Sequence, residues 1–161
     1  MRDTVEKEIL KNSIEMLDLF YQVITDGYNP TSITIRIKED SKIEDNEIES
    51  GYMKGWYKEE EFKSPKTILN FEQRIRENFQ WSFQHLEGFS KSPDLLKADF
   101  NRENFKKIIQ KVQQLILDYT KEWTKESKEY LIDTSDGSYQ RLLVVHDDNK
   151  SMIIEFGNYI H

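Results

Sequence analysis

A chain of 161 residues fits one domain, and at that length folding hides roughly 68–70% of the surface that the unfolded chain exposes. Apolar content is only 37%, but nine Phe, eight Tyr and three Trp each cover a large area, so the composition reads as folded and not disordered. A formal net charge of −7 repels phosphate, which argues against nucleic-acid or anionic-membrane partners, and the absence of cysteine excludes disulfides, thiolate metal sites and a cysteine nucleophile.

From about Thr4 to Thr25 the residues Leu10, Ile14, Leu17, Tyr21 and Ile24 recur at steps of three and four, which predicts an amphipathic helix ended by Gly27 and the Asn29-Pro30 pair. Charged residues such as Glu6, Lys7, Glu8 and Lys11 interrupt this stretch, so it lacks the apolar core of a signal peptide. No apolar run reaches membrane-spanning length, and with cysteine absent a reducing, cytoplasmic setting is expected. Ile33, Ile35 and Ile37 then alternate with Thr34, Arg36 and Lys38, the period of a strand with one face buried.

An acidic segment follows. Between Glu39 and Glu61 nine acidic residues stand against three lysines, with Tyr52, Trp56 and Tyr57 among them. Its first part, Glu39 to Ser50, has only Ile43 and Ile48 to anchor it and reads as an exposed loop, while Gly51 to Phe62 reads as a second strand weakened by its two glycines. Ser64-Pro65 has the form of an N-cap followed by proline at the first helical position, opening a second long helix to about Leu86 with a stripe of Ile68, Phe71, Ile75, Phe79 and Leu86. A third helix is predicted from a cap at Asn101, striped by Phe105, Ile108, Val112, Leu115, Tyr119 and Trp123.

Beyond it the period switches from helix to strand. Tyr130 to Thr134 and Tyr139 to His146 flank Asp136-Gly137, whose residues suit a tight hairpin, and Asp147 to Lys150 turns the chain into Met152 to Phe156. The run Leu142 to Val145 is apolar on both faces, which places that strand centrally. The predicted fold is a single α+β domain over residues 1–161. Three long amphipathic helices pack on an antiparallel sheet of four to five strands, including a C-terminal three-stranded meander extended by the strand around Ile35. An edge strand near Tyr159 leaves a homodimer formed by strand pairing open.

Candidate chemistry is sparse. His85, His146 and His161 have no second His or Cys at a metal-ligand spacing. His146-Asp147-Asp148 carries the one catalytic reading, a small metal-dependent hydrolase, but Asp147-Asp148-Asn149-Lys150 is also an ordinary hairpin turn. Lys107 and Lys111, with Lys121, Lys125 and Lys128 along the end of the third helix, read either as a phosphate-binding face or, with Asp118, Glu122 and Glu126 interspersed, as a solvated one. No phosphate loop, dinucleotide fingerprint or nucleophile elbow occurs, so no cofactor is expected.

The reading favoured is therefore a non-catalytic acidic protein that docks on a basic partner and not on nucleic acid or membrane. Asp45, Glu47, Glu49, Glu59, Glu60 and Glu61 would steer the encounter while Tyr52, Trp56 and Tyr57 supply desolvated anchors. In size, acidity and lack of cysteine the chain resembles the immunity proteins of bacterial toxin systems. That likeness of type implies a basic, nuclease-type toxin as partner, covered at the groove that would hold its substrate.

Overall fold

The computed structural model describes residues 2–24, 31–39, 42–48, 65–83, 99–123, 126–133 and 139–158. Along the chain these form α1 (Arg2–Ile24), β1 (Thr31–Glu39), α2 (Asp45–Ile48), β2 (Lys66–Thr67), α3 (Phe71–Ser82), α4 (Asp99–Tyr119), β3 (Glu126–Asp133), β4 (Tyr139–His146) and β5 (Lys150–Asn158). The five strands make one antiparallel sheet in the order β1-β5-β4-β3-β2. The C-terminal meander and its extension by the strand around Ile35 are both present, with Ile35 opposite Ile154.

Strand alternation sorts the central residues into two cores. On one face Leu143, Val145, Met152, Ile154 and Phe156 meet the apolar stripes of the three longer helices: Leu10, Ile14, Leu17 and Tyr21 of α1, Ile75 and Phe79 of α3, and Phe105, Val112 and Ile116 of α4. Aromatic rings lock this face together. Phe79 meets Phe156 edge-on at 5.3 Å between centroids, and Phe83 does the same to Tyr21 at 5.0 Å and Phe105 at 5.1 Å. Each such contact adds about 0.5–1.5 kcal/mol beyond the area it buries. On the opposite face Tyr130, Ile132, Leu142, Val144 and Ile153 form a second core with Ile43 and Ile48. The doubly apolar run from Leu142 to Val145 serves both, so β4 lies inside the sheet as expected.

The helices differ from the expectation of three long ones. Among the described residues there are four: α1 and α4 are long, α3 has 12 residues and α2 is a single turn. The cap that opens α3 is Asn70, not Ser64, with its Oδ1 accepting from the Gln73 amide at 3.0 Å. Upstream, Lys66 and Thr67 stay extended because they pair with Glu129 and Lys128 of β3, and Ile68 donates its amide to the Ser127 carbonyl at 2.9 Å. Proline at 65 suits such an edge as well as it suits a helix start. Asn101 likewise is no cap, since α4 begins at Asp99. That helix ends at Tyr119, where the Thr120 hydroxyl turns back to the Ile116 carbonyl and the chain closes a turn through Trp123.

One further expectation is corrected. Among the described residues of the stretch from Glu39 to Ser50 the chain is not simply an exposed loop: Glu39 closes β1, Ile43 and Ile48 are buried, and Ile48 is the last residue of α2. β5 is paired on both sides as far as Asn158, and the edge strand expected near Tyr159 falls beyond that residue. The proposed second strand at 51–62, the Asp136-Gly137 turn, Tyr159 and His85 lie outside the described residues. No helix among the described residues is long and apolar enough to cross a membrane.

Candidate functional site

Of the residues predicted to contact a partner, Asp45 and Glu47 fall among those described, whereas Glu49, Tyr52, Trp56, Tyr57, Glu59, Glu60 and Glu61 lie outside them. The start of the acidic segment is built from two buried isoleucines five positions apart, a spacing that a single helical turn and its entry bring to one side. Glu44 caps that turn: its carbonyl accepts the amides of Glu47 and Ile48, and the Glu47 carboxylate reaches back to the Glu44 amide at 3.3 Å. This return contact is the reciprocal half of a capping box.

Polar bonds fasten the turn to the sheet. The Ile43 amide donates to Ser151 Oγ of β5 at 2.9 Å, and the same oxygen lies 2.7 Å from His146 Nδ1. Burial pushes the His146 imidazole below its ordinary pKa, and the Ser151 hydroxyl proton is available to Nδ1 of the neutral ring. On the other side Asp45 accepts from Lys128 Nζ at 2.7 Å and from the Tyr130 hydroxyl at 2.5 Å, both on β3. These two hydrogen bonds, Lys128 first, hold its carboxyl below the usual range.

Asp45 is thus engaged within the fold, and its neighbours are partly offset. Glu47 pairs with Lys38 at 3.3 Å in an exposed bridge, and Glu39 pairs with Lys7 of α1 at the same distance. Glu44 and Glu47 face outward. None of these lysine partners was legible from the segment itself, although the alternation in β1 puts Lys38 and Arg36 on the sheet face that α2 covers.

The other candidates separate. His146 is buried, while Asp147 and Asp148 belong to the turn between β4 and β5: the Asp147 amide donates to the Lys150 carbonyl and the Asp147 carboxylate accepts the Asp148 amide. Among the described residues no three His, Asp or Glu side chains group as a metal would require. The lysine row also breaks up. Lys107 and Lys111 stay exposed on α4, but Lys121 lies in the turn after it and Lys128 is a strand residue bonded to Asp45. Compared with protein-family models, with curated proteins and with solved structures, the chain matches none.

Proposed function

We propose that this is a non-catalytic acidic binding protein that docks on a basic protein partner, with the neutralising of a toxin in the cytoplasm as its role, in the manner of an immunity or inhibitor protein. One observation carries the reading. The start of the acidic segment is pinned at three points, by buried Ile43 and Ile48 and by the bonds from Asp45 to Lys128 and Tyr130, while Glu44 and Glu47 point outward. A fixed carboxylate loses less conformational freedom on binding than one on a loose tail, so a pinned root favours a contact surface over a merely solubilising stretch. The cytoplasmic placement rests on the absence of cysteine.

The test is recovery of a basic partner from the source cell by the tagged protein, with mass spectrometry of what is retained. Changing Glu47, Glu49, Glu59, Glu60 and Glu61 together to Lys is expected to abolish that recovery while leaving the circular dichroism spectrum intact. Equal recovery by the variant would remove the segment from the interface.

A further inference from the structure

We propose that a second contact lies on the helical side of the sheet: a cleft that takes a lysine or arginine side chain, with its flanking apolar residue, from the basic partner. The inference rests on the reading of a basic protein partner and adds a site on the sheet face opposite α2. The cleft, of about 720 Å³, opens between the first half of α1, the end of α4 and the turn between β4 and β5. That volume falls within the usual range of ligand pockets, roughly 300–1,000 Å³, and exceeds what one side chain fills.

Its chemistry has two parts. Ile9, Leu10, Leu115, Tyr119 and Trp123 form apolar walls, the last two in an edge-on ring pair at 5.5 Å. Around them stand four carboxylates, Glu6, Asp118, Glu122 and Asp147, against two lysines, Lys121 and Lys150. An apolar wall beneath a predominantly anionic rim matches a side chain with an aliphatic stem and a cationic head, since the stem loses its contact with water while the head stays at the rim. A carboxylate ligand would meet the opposite field.

The surface beside the cleft extends the match. Val5, Ile9, Met16 and Leu19 of α1 are 49–69% exposed, and at 100° per residue they fall within about 80° of one another around the helix. Ile9 belongs both to this stripe and to the cleft wall. Apolar residues gathered on an exposed helix face mark an interaction surface more often than scattered ones do. A partner segment alternating apolar and basic residues would therefore lay the former on the stripe and the latter into the cleft.

Fluorescence anisotropy with the full chain tests this, using a fluorescein-labelled six-residue peptide of alternating leucine and arginine, and its glutamate-for-arginine counterpart. The basic peptide is expected to bind and the acidic one not. Asp118→Lys with Glu122→Lys, both exposed positions, is expected to weaken binding at least tenfold. The same two charges reversed elsewhere, at Glu72 and Glu103, should change it no more than about twofold, which separates a local site from the overall field. Circular dichroism would confirm that each variant is folded. Equal affinity for the two peptides, no binding of the basic one, or equal weakening by both double variants would overturn the cleft. Should Glu59, Glu60 and Glu61 changed to Lys abolish peptide binding while the cleft variant leaves it intact, the cleft falls and the basic-partner reading stands.

Discussion

The two faces of the sheet are held by different physics. The helical face is closed by three helices whose large side chains interlock, with Phe79, Phe105 and Phe156 fully buried. Across the sheet, the described residues set one helical turn and two isoleucines against β3, β4 and β5, reinforced by hydrogen bonds that Asp45 accepts from Lys128 and Tyr130 and that Ser151 accepts from the Ile43 amide. The first face depends on apolar area and shape, and the second also depends on charge and protonation. A protein built this way can vary its outer surface around α2 without disturbing the core that sets its fold.

Breaking the helical face should have the largest effect. Phe79→Ala removes a fully buried ring from its contact with Phe156 and is expected to lower stability by about 3–5 kcal/mol, read from urea unfolding. A loss under about 1 kcal/mol would mean that this core is not close-packed. Ile48→Ala cuts into the other face, where α2 is a single turn that can settle toward the sheet, so about 2–3 kcal/mol is expected, the lower part of the range for such truncations. A loss from Ile48→Ala equal to that from Phe79→Ala would remove the distinction between the faces.

Glu155 sharpens the comparison with a gain. It lies on β5 between Thr34 and Leu142, on the same face as Ile153, and burial pushes its carboxyl above the ordinary range, against the pull of Arg36 and a hydrogen bond with Thr34. A raised folded pKa means that stability is lost as pH rises from about 4.5 through the folded value, because the buried group must then ionise. Glu155→Gln keeps the shape and never ionises. It is expected to raise Tm at pH 7 by up to about 4 °C, the shift given by 1 kcal/mol in a chain of this size, and to have no such benefit at pH 4. A lower Tm at pH 7 would show that the Arg36 charge outweighs the burial.

The sequence was informative where a pattern repeats and silent where a contact is single. The alternation of Ile33, Ile35 and Ile37, and the doubly apolar run from Leu142 to Val145, carried the sheet and its centre, because strand burial imposes a period on many residues at once. Two residues of β2 and one turn of α2 are too short to show any period, so in sequence Pro65 has the form of a helix start and Ile43 and Ile48 have that of weak anchors. The candidate site was less legible still. Asp45 finds Lys128 and Tyr130 more than eighty positions away, and its role as a clamp follows from sheet order and not from any local motif.

Asp45 also gives the smallest and most specific expectation. Its folded pKa is depressed by the Lys128 and Tyr130 hydrogen bonds, so the stability it contributes is present above its unfolded value of 3.8 and is lost as pH falls through the lower folded value. Asp45→Asn removes the charge and keeps one of the two oxygens, so it can still accept from Lys128 or from Tyr130, which bond to different oxygens of the carboxylate. The side chain is 46% exposed, so solvent screens the pair and the difference from the wild type at pH 7 is expected to be only about 0.5–1 kcal/mol. That difference should close below pH 3.8, as the wild-type carboxylate takes up its proton. His146, neutral by burial, lowers stability in both proteins as pH drops below about 6.5, because the unfolded chain then binds the proton first; the Asp45 charge raises the His146 pKa, so this loss is slightly greater in the variant and the difference widens a little toward about pH 5 before it closes. A difference between the two proteins that persists unchanged at pH 2.5 would mean that Asp45 holds α2 to the sheet by shape and hydrogen bonding, with its charge contributing nothing.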